Sequence, residues 1–322
     1  MTLPMSIVVL IVAGLLPSGI LAQAYPTKPI RFIVPFAAGG GVDISARLLA
    51  ERLNKLSGYE VLVDNRPGAN GDLAAVMVAR APADGYTLLM SGVTAQVINS
   101  AIQIKPPYDL LRDFAPISLV GQSPLVLVVH PSLQVTNVKE FIALAKARPG
   151  QLNYGSAGGG PQHLAGILFD KATGIKTTNV PYRGGAQAMA DIVAGHVEFG
   201  FSVYGIIQQF VHLGKIRMLG VASLKRYAAL PDLPTIDEQG IREFETETVN
   251  GVLAPARTPR AIQETLNTSV LKALADPDFT HKLLAQGFAP RPTTLEQFSD
   301  YLRNDVLKYS KAVREAGLKG HY

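Results

Sequence analysis

The chain has 322 residues, 48% of them hydrophobic and 17% charged, and a net charge of +5. That length provides for two domains and for cores that need no covalent staples, and the composition argues against disorder. There is no cysteine, which excludes disulfides, thiolate zinc sites, iron–sulfur clusters, a cysteine nucleophile and a lipid-modified N-terminal Cys. The 30 Lys and Arg are scattered without a run of four. The charge therefore argues for a mild preference for anions and against a nucleic-acid partner.

Met1 to Thr27 carries no charge, and Ile7 to Leu16 is an apolar run ended by Pro17. Ala22-Gln23-Ala24 follows with the small-x-small form of a cleavage site. Residues 1–24 read as a secretory signal, with a mature chain from Tyr25. The run is shorter than the roughly 20 residues that span a bilayer. Without a Cys for lipid attachment, the exported protein is expected free in a periplasm.

Strands and helices then alternate. Ile30 to Val34 reads as a buried strand, followed by a glycine loop and a helix from Asp43 to Leu56 with Ile44, Leu48, Leu49, Leu53 and Leu56 on one face. Further strands are predicted at Tyr59 to Val63, Tyr86 to Met90, Ile117 to Val120 and Leu125 to Val129. A helix opens at Asn137 and runs to Ala147. Leu152 to Tyr154 is a strand, followed by a second glycine loop and a helix from Pro161 to Thr173 closed by Gly174. Strands follow at Thr178 to Val180, Val197 to Ser202, Ile216 to Ala222 and Val249 to Leu253. The end of the chain is helical: Pro259 to Ala275, Phe279 to Gln286 and Leu295 to Ala316. This alternation predicts an α/β fold with largely parallel sheets.

One unit occurs twice, strand, glycine loop and helix, at Gly39-Gly40-Gly41 and at Gly158-Gly159-Gly160. Neither loop is a Walker A motif, because Val42-Asp43 and Pro161-Gln162 stand where Lys-Ser/Thr is required. Neither has the third glycine of a dinucleotide fingerprint, where Ile44 and His163 stand instead. Ser156 is not in a nucleophile elbow, no His lies in H-E-x-x-H, and no metal-ligand cluster is visible. What remains is the physics of helix N-termini. Their first N–H groups are unpaired, they carry partial positive charge, and glycine admits a ligand to the backbone. Two such loops in two lobes predict a shared anion site without cofactor or metal.

The candidate ligand-binding residues are Phe36, Gly39, Gly40, Gly41, Asp43, Thr94, Ser156, Gly158, Gly159, Gly160, His163 and Tyr204. Asp43 either caps its loop or contacts ligand or bound water, and Arg47 one turn on is placed to pair with it. Phe36 is either core or an aromatic lid. His163 is either a packed helix residue or a ligand contact. Thr94, and Ser202 with Tyr204, follow strand ends at the expected cleft edge.

These residues resemble the tripartite tricarboxylate transporter solute-binding proteins, the Bug or TctC family. The matching stretches are Tyr25-Pro26 with Lys28-Pro29-Ile30-Arg31, Val34-Pro35-Phe36 with Gly39-Gly40, Asp43 and Arg47, and Asn65-Arg66-Pro67-Gly68. They continue through Asp84 to Leu88, Asp113 to Ile117, Tyr154-Gly155-Ser156 with Gly158, His163 to Ala165 and Val180 to Tyr182. Leu230-Pro231, Pro234-Thr235, Ala254-Pro255 and Thr258-Pro259 close the set. The chain departs from the family at Asn70, where Gly is common, and Val203-Tyr204 lie where related sequences vary with ligand.

The resemblance implies a two-lobed periplasmic-binding-protein-like fold of type II, each lobe a mostly parallel sheet flanked by helices. It implies chain crossings near Gln122 to Leu125 and Glu247 to Gly251. Residues 25–123 with 249–322 would form lobe 1, and residues 124–248 lobe 2. A small organic carboxylate would be enclosed between the lobes by the glycine loops. A monomeric protein would deliver it to a two-subunit membrane permease of the tripartite tricarboxylate type. The alternative is a periplasmic sensor presenting the solute to a receptor kinase. An enzyme on this fold lacks a nucleophile–base set in the sequence, and a transcription regulator's effector domain is opposed by the export signal.

Overall fold

The computed structural model describes residues 25–320, so the expected signal segment 1–24 lies outside the described residues. In chain order the elements begin β1 (Ile30–Val34), α1 (Gly41–Ser57), β2 (Val61–Asn65), α2 (Asp72–Ala79), β3 (Thr87–Gly92), α3 (Val93–Ile102) and β4 (Phe114–Pro124). Then follow β5 (Val126–Val129), α4 (Val138–Ala147), β6 (Asn153–Ala157), α5 (Pro161–Thr173), β7 (Thr178–Tyr182), α6 (Gly185–Ala194), β8 (Phe199–Ser202), α7 (Tyr204–His212) and β9 (Arg217–Val221). The chain closes with β10 (Glu247–Pro255), α8 (Arg260–Leu274), α9 (Pro277–Ala285), β11 (Ala289–Pro290) and α10 (Leu295–Glu315).

Two sheets result, one ordered β11-β4-β10-β3-β1-β2 and the other β7-β6-β8-β5-β9. In the first sheet, alternation along the strand sends side chains to opposite faces. Ile30, Phe32 and Val34 of β1 join one buried cluster and Ile33 another, just as Leu88 and Met90 of β3 part from Leu89. Both faces are therefore covered. Leu49, Leu53, Leu266 and Val270 of α1 and α8 share the first cluster, and Val78, Val97, Phe298 and Leu302 of α2, α3 and α10 share the second. Each such side chain contributes about 1.5–3 kcal/mol by leaving water. In the second sheet all of β5 is buried, and an aromatic group fills the space beside it. Phe141 and Phe199 lie 4.8 Å apart between centroids, Phe169 and Phe201 5.8 Å, and Phe169 and Phe244 5.5 Å.

The chain passes between the sheets at two adjacent points. β4 and β10 pair antiparallel with Glu247 opposite Pro124. Beyond that pair, the Leu125 N–H donates to the Thr246 carbonyl at 3.0 Å and the Ala222 N–H to the Leu125 carbonyl at 2.8 Å. After β10, helices α8, α9 and α10 return to the first sheet, where β11 pairs with β4. The two halves are closed on one another, since Leu164 of α5 belongs to the same buried cluster as Val93 and Val97 of α3.

The α/β two-lobed architecture is as expected, but the sheets are mixed where the sequence predicted mostly parallel ones. β1 with β2 and β3, and β6 with β7 and β8, are parallel, whereas β4, β5 and β10 run antiparallel to their neighbours. The reason is the crossing itself: β4 and β10 carry the chain out of the first sheet and back, and so run in opposite directions. Four helices also escaped the sequence reading, α2, α3, α6 and α7. The first of these, DLAAVMVA, is apolar nearly all round and shows little of the one-sided periodicity that marks a surface helix, and α3, VTAQVINSAI, is buried along most of its length. All four begin at Gly or Val with no side-chain cap, so the usual start signal is absent.

Candidate ligand-binding site

Between the sheets lies a small inner pocket of about 50 Å³. Five helices start at its wall, contributing Gly40, Gly41 and Val42 of α1, Ala95 of α3, Pro161 and Gln162 of α5, Gly185 of α6, and Val203 and Ile206 of α7. Phe36, Ala157 and Thr248 complete the lining, so no Lys, Arg, Asp or Glu is among the lining residues. The same five helices start at Gly40, Gly92, Gly160, Gly184 and Val203, none with a side-chain cap. Of the helices that do not line the pocket, α4, α9 and α10 are capped by Asn137, Asp276 and Thr294, while α2 and α8 start at Gly71 and Pro259 without a side-chain cap. First-turn N–H groups have no intrahelical acceptor. Uncapped starts around one small space leave backbone donors there for an acceptor. Each helix end contributes about 0.3–1 kcal/mol, up to ~2 when partly buried, and each hydrogen bond to a charged group about 1.5–3 kcal/mol.

At about 50 Å³ the pocket admits a small polar group, since about 10–15 Å³ of such space holds one water. It adjoins a larger outer chamber of about 510 Å³, and Phe36 and Ala157 line both. The outer chamber is walled by Pro35, Phe36 and Pro67 to Gly71 on one side and by Ala157, Gly158 and Pro181 to Arg183 on the other.

The sequence-predicted residues divide into two groups. Phe36, Gly40, Gly41 and Gly158 line one or both cavities. Gly39, with φ 80°, faces Ala186 across the cleft, Gly159 is buried within its loop, and Gly160 is the N-cap residue of α5, beside Ala95. The others stand behind the walls. Asp43 is buried, and its oxygens are already engaged: Oδ2 accepts from the Gly39 N–H and Arg47 Nε, both at 2.9 Å, and Oδ1 accepts from Asn65 Nδ2 at 3.0 Å. Burial pushes its acidity down, but Arg47, the Gly39 N–H and Asn65 outweigh that and hold the carboxyl below the usual range. Asp43 thus braces the first loop and does not line either cavity.

Ser156 plays the same part in the second loop, donating to Asn179 Oδ1 at 2.7 Å and approaching the Gly158 carbonyl at 3.2 Å. Thr94 Oγ1 accepts the Val249 N–H at 3.1 Å and so ties α3 to β10. His163 is buried against the Tyr154 ring, centroids 6.3 Å apart. Tyr204 packs on Gly287 at the α9–β11 turn, next to the Gln208–Gln286 contact of 3.2 Å.

Sequence reasoning missed the third glycine loop, Gly184-Gly185, together with Ala95, Gln162, Thr248 and Arg183, and it marked Asn70 and Val203 only against the family pattern, not as lining residues. The signal for the third loop was present, because Tyr182-Arg183-Gly184-Gly185 repeats the pattern of strand end, glycine and helix start.

A closed pair of mixed α/β lobes around an uncapped, uncharged pocket defines a solute-binding protein. Residues 45–318 match the family model described as the tripartite tricarboxylate transporter family receptor, and the chain belongs to that family. It is similar to the R. palustris protein Rpa4515, solved with adipate, at 35% identity and a TM-score of 0.88, over 91% of this chain and 98% of that one. The periplasmic binding protein BugD is 32% identical with a TM-score of 0.86, over 92% of this chain and 99% of that one. MatC from Rhodopseudomonas palustris, solved with malate, is 28% identical with a TM-score of 0.84, over 90% of this chain and 100% of that one. The chain is accordingly a binding receptor and not an enzyme.

Proposed function

We propose that the chain is an exported, periplasmic receptor that captures a small organic carboxylate in the inner pocket and hands it to a two-subunit membrane permease of the tripartite tricarboxylate type. The observation that carries this reading is the convergence of five uncapped helix starts on a pocket with no charged lining residue. A carboxylate takes several N–H groups at once, whereas an ammonium or a sugar hydroxyl finds few acceptors there. Four hydrogen bonds of the charged kind are ample for micromolar binding, about −8 kcal/mol, after the costs of association. The relatives solved with adipate and malate support an aliphatic acid as the ligand class.

Residues 25–123 with 249–322 and residues 124–248 are read as the two lobes. Their hinge is the paired crossing at Pro124 and Glu247, and the backbone bonds around Leu125 and Thr246 support it. A ligand that binds only the folded state raises stability by RT ln(1 + [L]/Kd). In a thermal-shift screen of acids, sugars and amines, mono- or dicarboxylates are expected to raise Tm. A screen in which only sugars or amines do so overturns the reading.

A further inference from the structure

We propose that Asn70 is a specificity-determining residue: its carboxamide contacts the part of the bound acid that emerges from the inner pocket into the outer chamber. This rests on the carboxylate reading above. Asn70 sits in the short turn Ala69–Gly71 with φ 53° and ψ 28°, a left-handed backbone that Asn accepts more readily than most side chains. From there the side chain reaches across the cleft. A β-carbon built on Gly158, in the opposite wall, would overlap the Asn70 carboxamide oxygen and lie 2.8 Å from Asn70 Cγ. Gly158 itself has φ 56°, so its own geometry and its neighbour both call for the absence of a side chain.

The inner pocket, about 50 Å³, is far smaller than the outer chamber of about 510 Å³, so a longer acid held by one end in the first extends into the second. Phe36 and Ala157 are common to both cavities and mark the passage, and Asn70 and Gly158 stand in the chamber wall beyond. The Asn70 amide is half-buried and makes no hydrogen bond among the described residues. It offers two donors and an acceptor to whatever passes. Arg183 is the one charged side chain among the residues lining that chamber. It forms no ion pair among the described residues, whereas Arg47 and Arg66 on the facing side are committed to Asp43 and Asp64. The chamber therefore favours an acid whose far end carries oxygen atoms, a second carboxylate or a hydroxyl, over one ending in a methyl group.

Calorimetry on the parent, Asn70→Gly and Asn70→Asp tests this, with succinate, malate and adipate against butyrate and hexanoate. Glycine suits the backbone at this position, and the Tm of each unliganded variant checks its folding. Asn70→Gly is expected to weaken the best-bound diacid about ten- to hundredfold and the monoacids less than about threefold. Asn70→Asp keeps the shape but adds negative charge. Its affinity for diacids relative to the parent at the same pH is expected to be lowest near neutrality and to recover as pH falls through the ordinary carboxylate range. If both variants keep the parent's affinities and ranking across the panel, the inference is overturned while the carboxylate reading stands. If the parent binds none of these acids, the carboxylate reading fails and takes the inference with it.

Discussion

Asn65 at the end of β2 donates its amide to Asp43 in the first turn of α1 at 3.0 Å, and a second bond at 3.0 Å joins the same amide nitrogen to the Phe36 carbonyl. One side chain thus holds both ends of the first glycine loop, from the strand behind it to the helix ahead of it. The loop's N–H groups are aimed by this bracing, with no cation placed in the pocket.

The brace is pH-dependent. Asp43 is held below the usual carboxylate range in the folded protein. Its contribution is therefore fully present above the ordinary Asp value, about 3.9, and is lost as pH falls through the lower folded value. Asp43→Asn is expected to cost about 1–3 kcal/mol at neutral pH and to lower ligand affinity with it. The difference in stability from the parent should shrink at strongly acidic pH. Denaturant melts of both proteins across pH check this, and a constant difference down to the acid limit would count against the brace.

Gly41 sits where α1 meets the facing lobe. A β-carbon there would lie 3.1 Å from Val203 Cγ2 and 3.1 Å from Phe288 Cζ. Gly41→Val is expected to hold the lobes apart and lower affinity more than tenfold, because closed packing does not readily absorb added methyl groups. Calorimetry measures the loss, and scattering of the variant should report a more open particle. Parental affinity would mean that the pocket tolerates bulk at its wall.

His163 gives the opposite expectation. Its ring is buried against Tyr154 and lines neither cavity. His163→Ala should lower Tm while changing affinity less than about threefold, with no new pH dependence of binding between pH 5 and 8. An affinity loss that grows as pH falls would instead place the imidazole on the ligand.

On α10, burial pushes the Asp305 carboxyl up, against the opposing effects of Tyr301, Lys308 and Arg291. Its Oδ2 has no hydrogen-bond partner among the described residues. A raised acid binds its proton more readily folded than unfolded, so its charged form costs stability as pH rises above the ordinary value. Asp305→Asn is expected to be the more stable protein at neutral pH, by roughly 1 kcal/mol or about 2–4 °C in Tm. The gain should disappear under acid conditions. Thermal melts at neutral and acid pH decide it, and a less stable variant at neutral pH would show that the charge is used.

Much of this protein is legible in one dimension. The run Ile30 to Val34 could only be a buried strand, and the stripe Ile44, Leu48, Leu49 and Leu53 only a helix packed on it, because their periods are local properties of the chain. Gly39 to Gly41 and Gly158 to Gly160 were visible for the same reason, as breaks between a strand period and a helix period. What only the tertiary structure decided is which of those residues face the cavity. Asp43 and Ser156 look like ligand contacts by position, yet their oxygens are spent on Gly39, Arg47 and Asn65 and on Asn179, partners set by packing. Helices α3, α6 and α7, buried or begun without caps, lack the local signals on which a sequence reading depends. Their convergence on one pocket, and the approach of Asn70 to Gly158 across 88 positions of chain, arise from the packing of the two sheets and their helices against each other, an arrangement that no local period encodes.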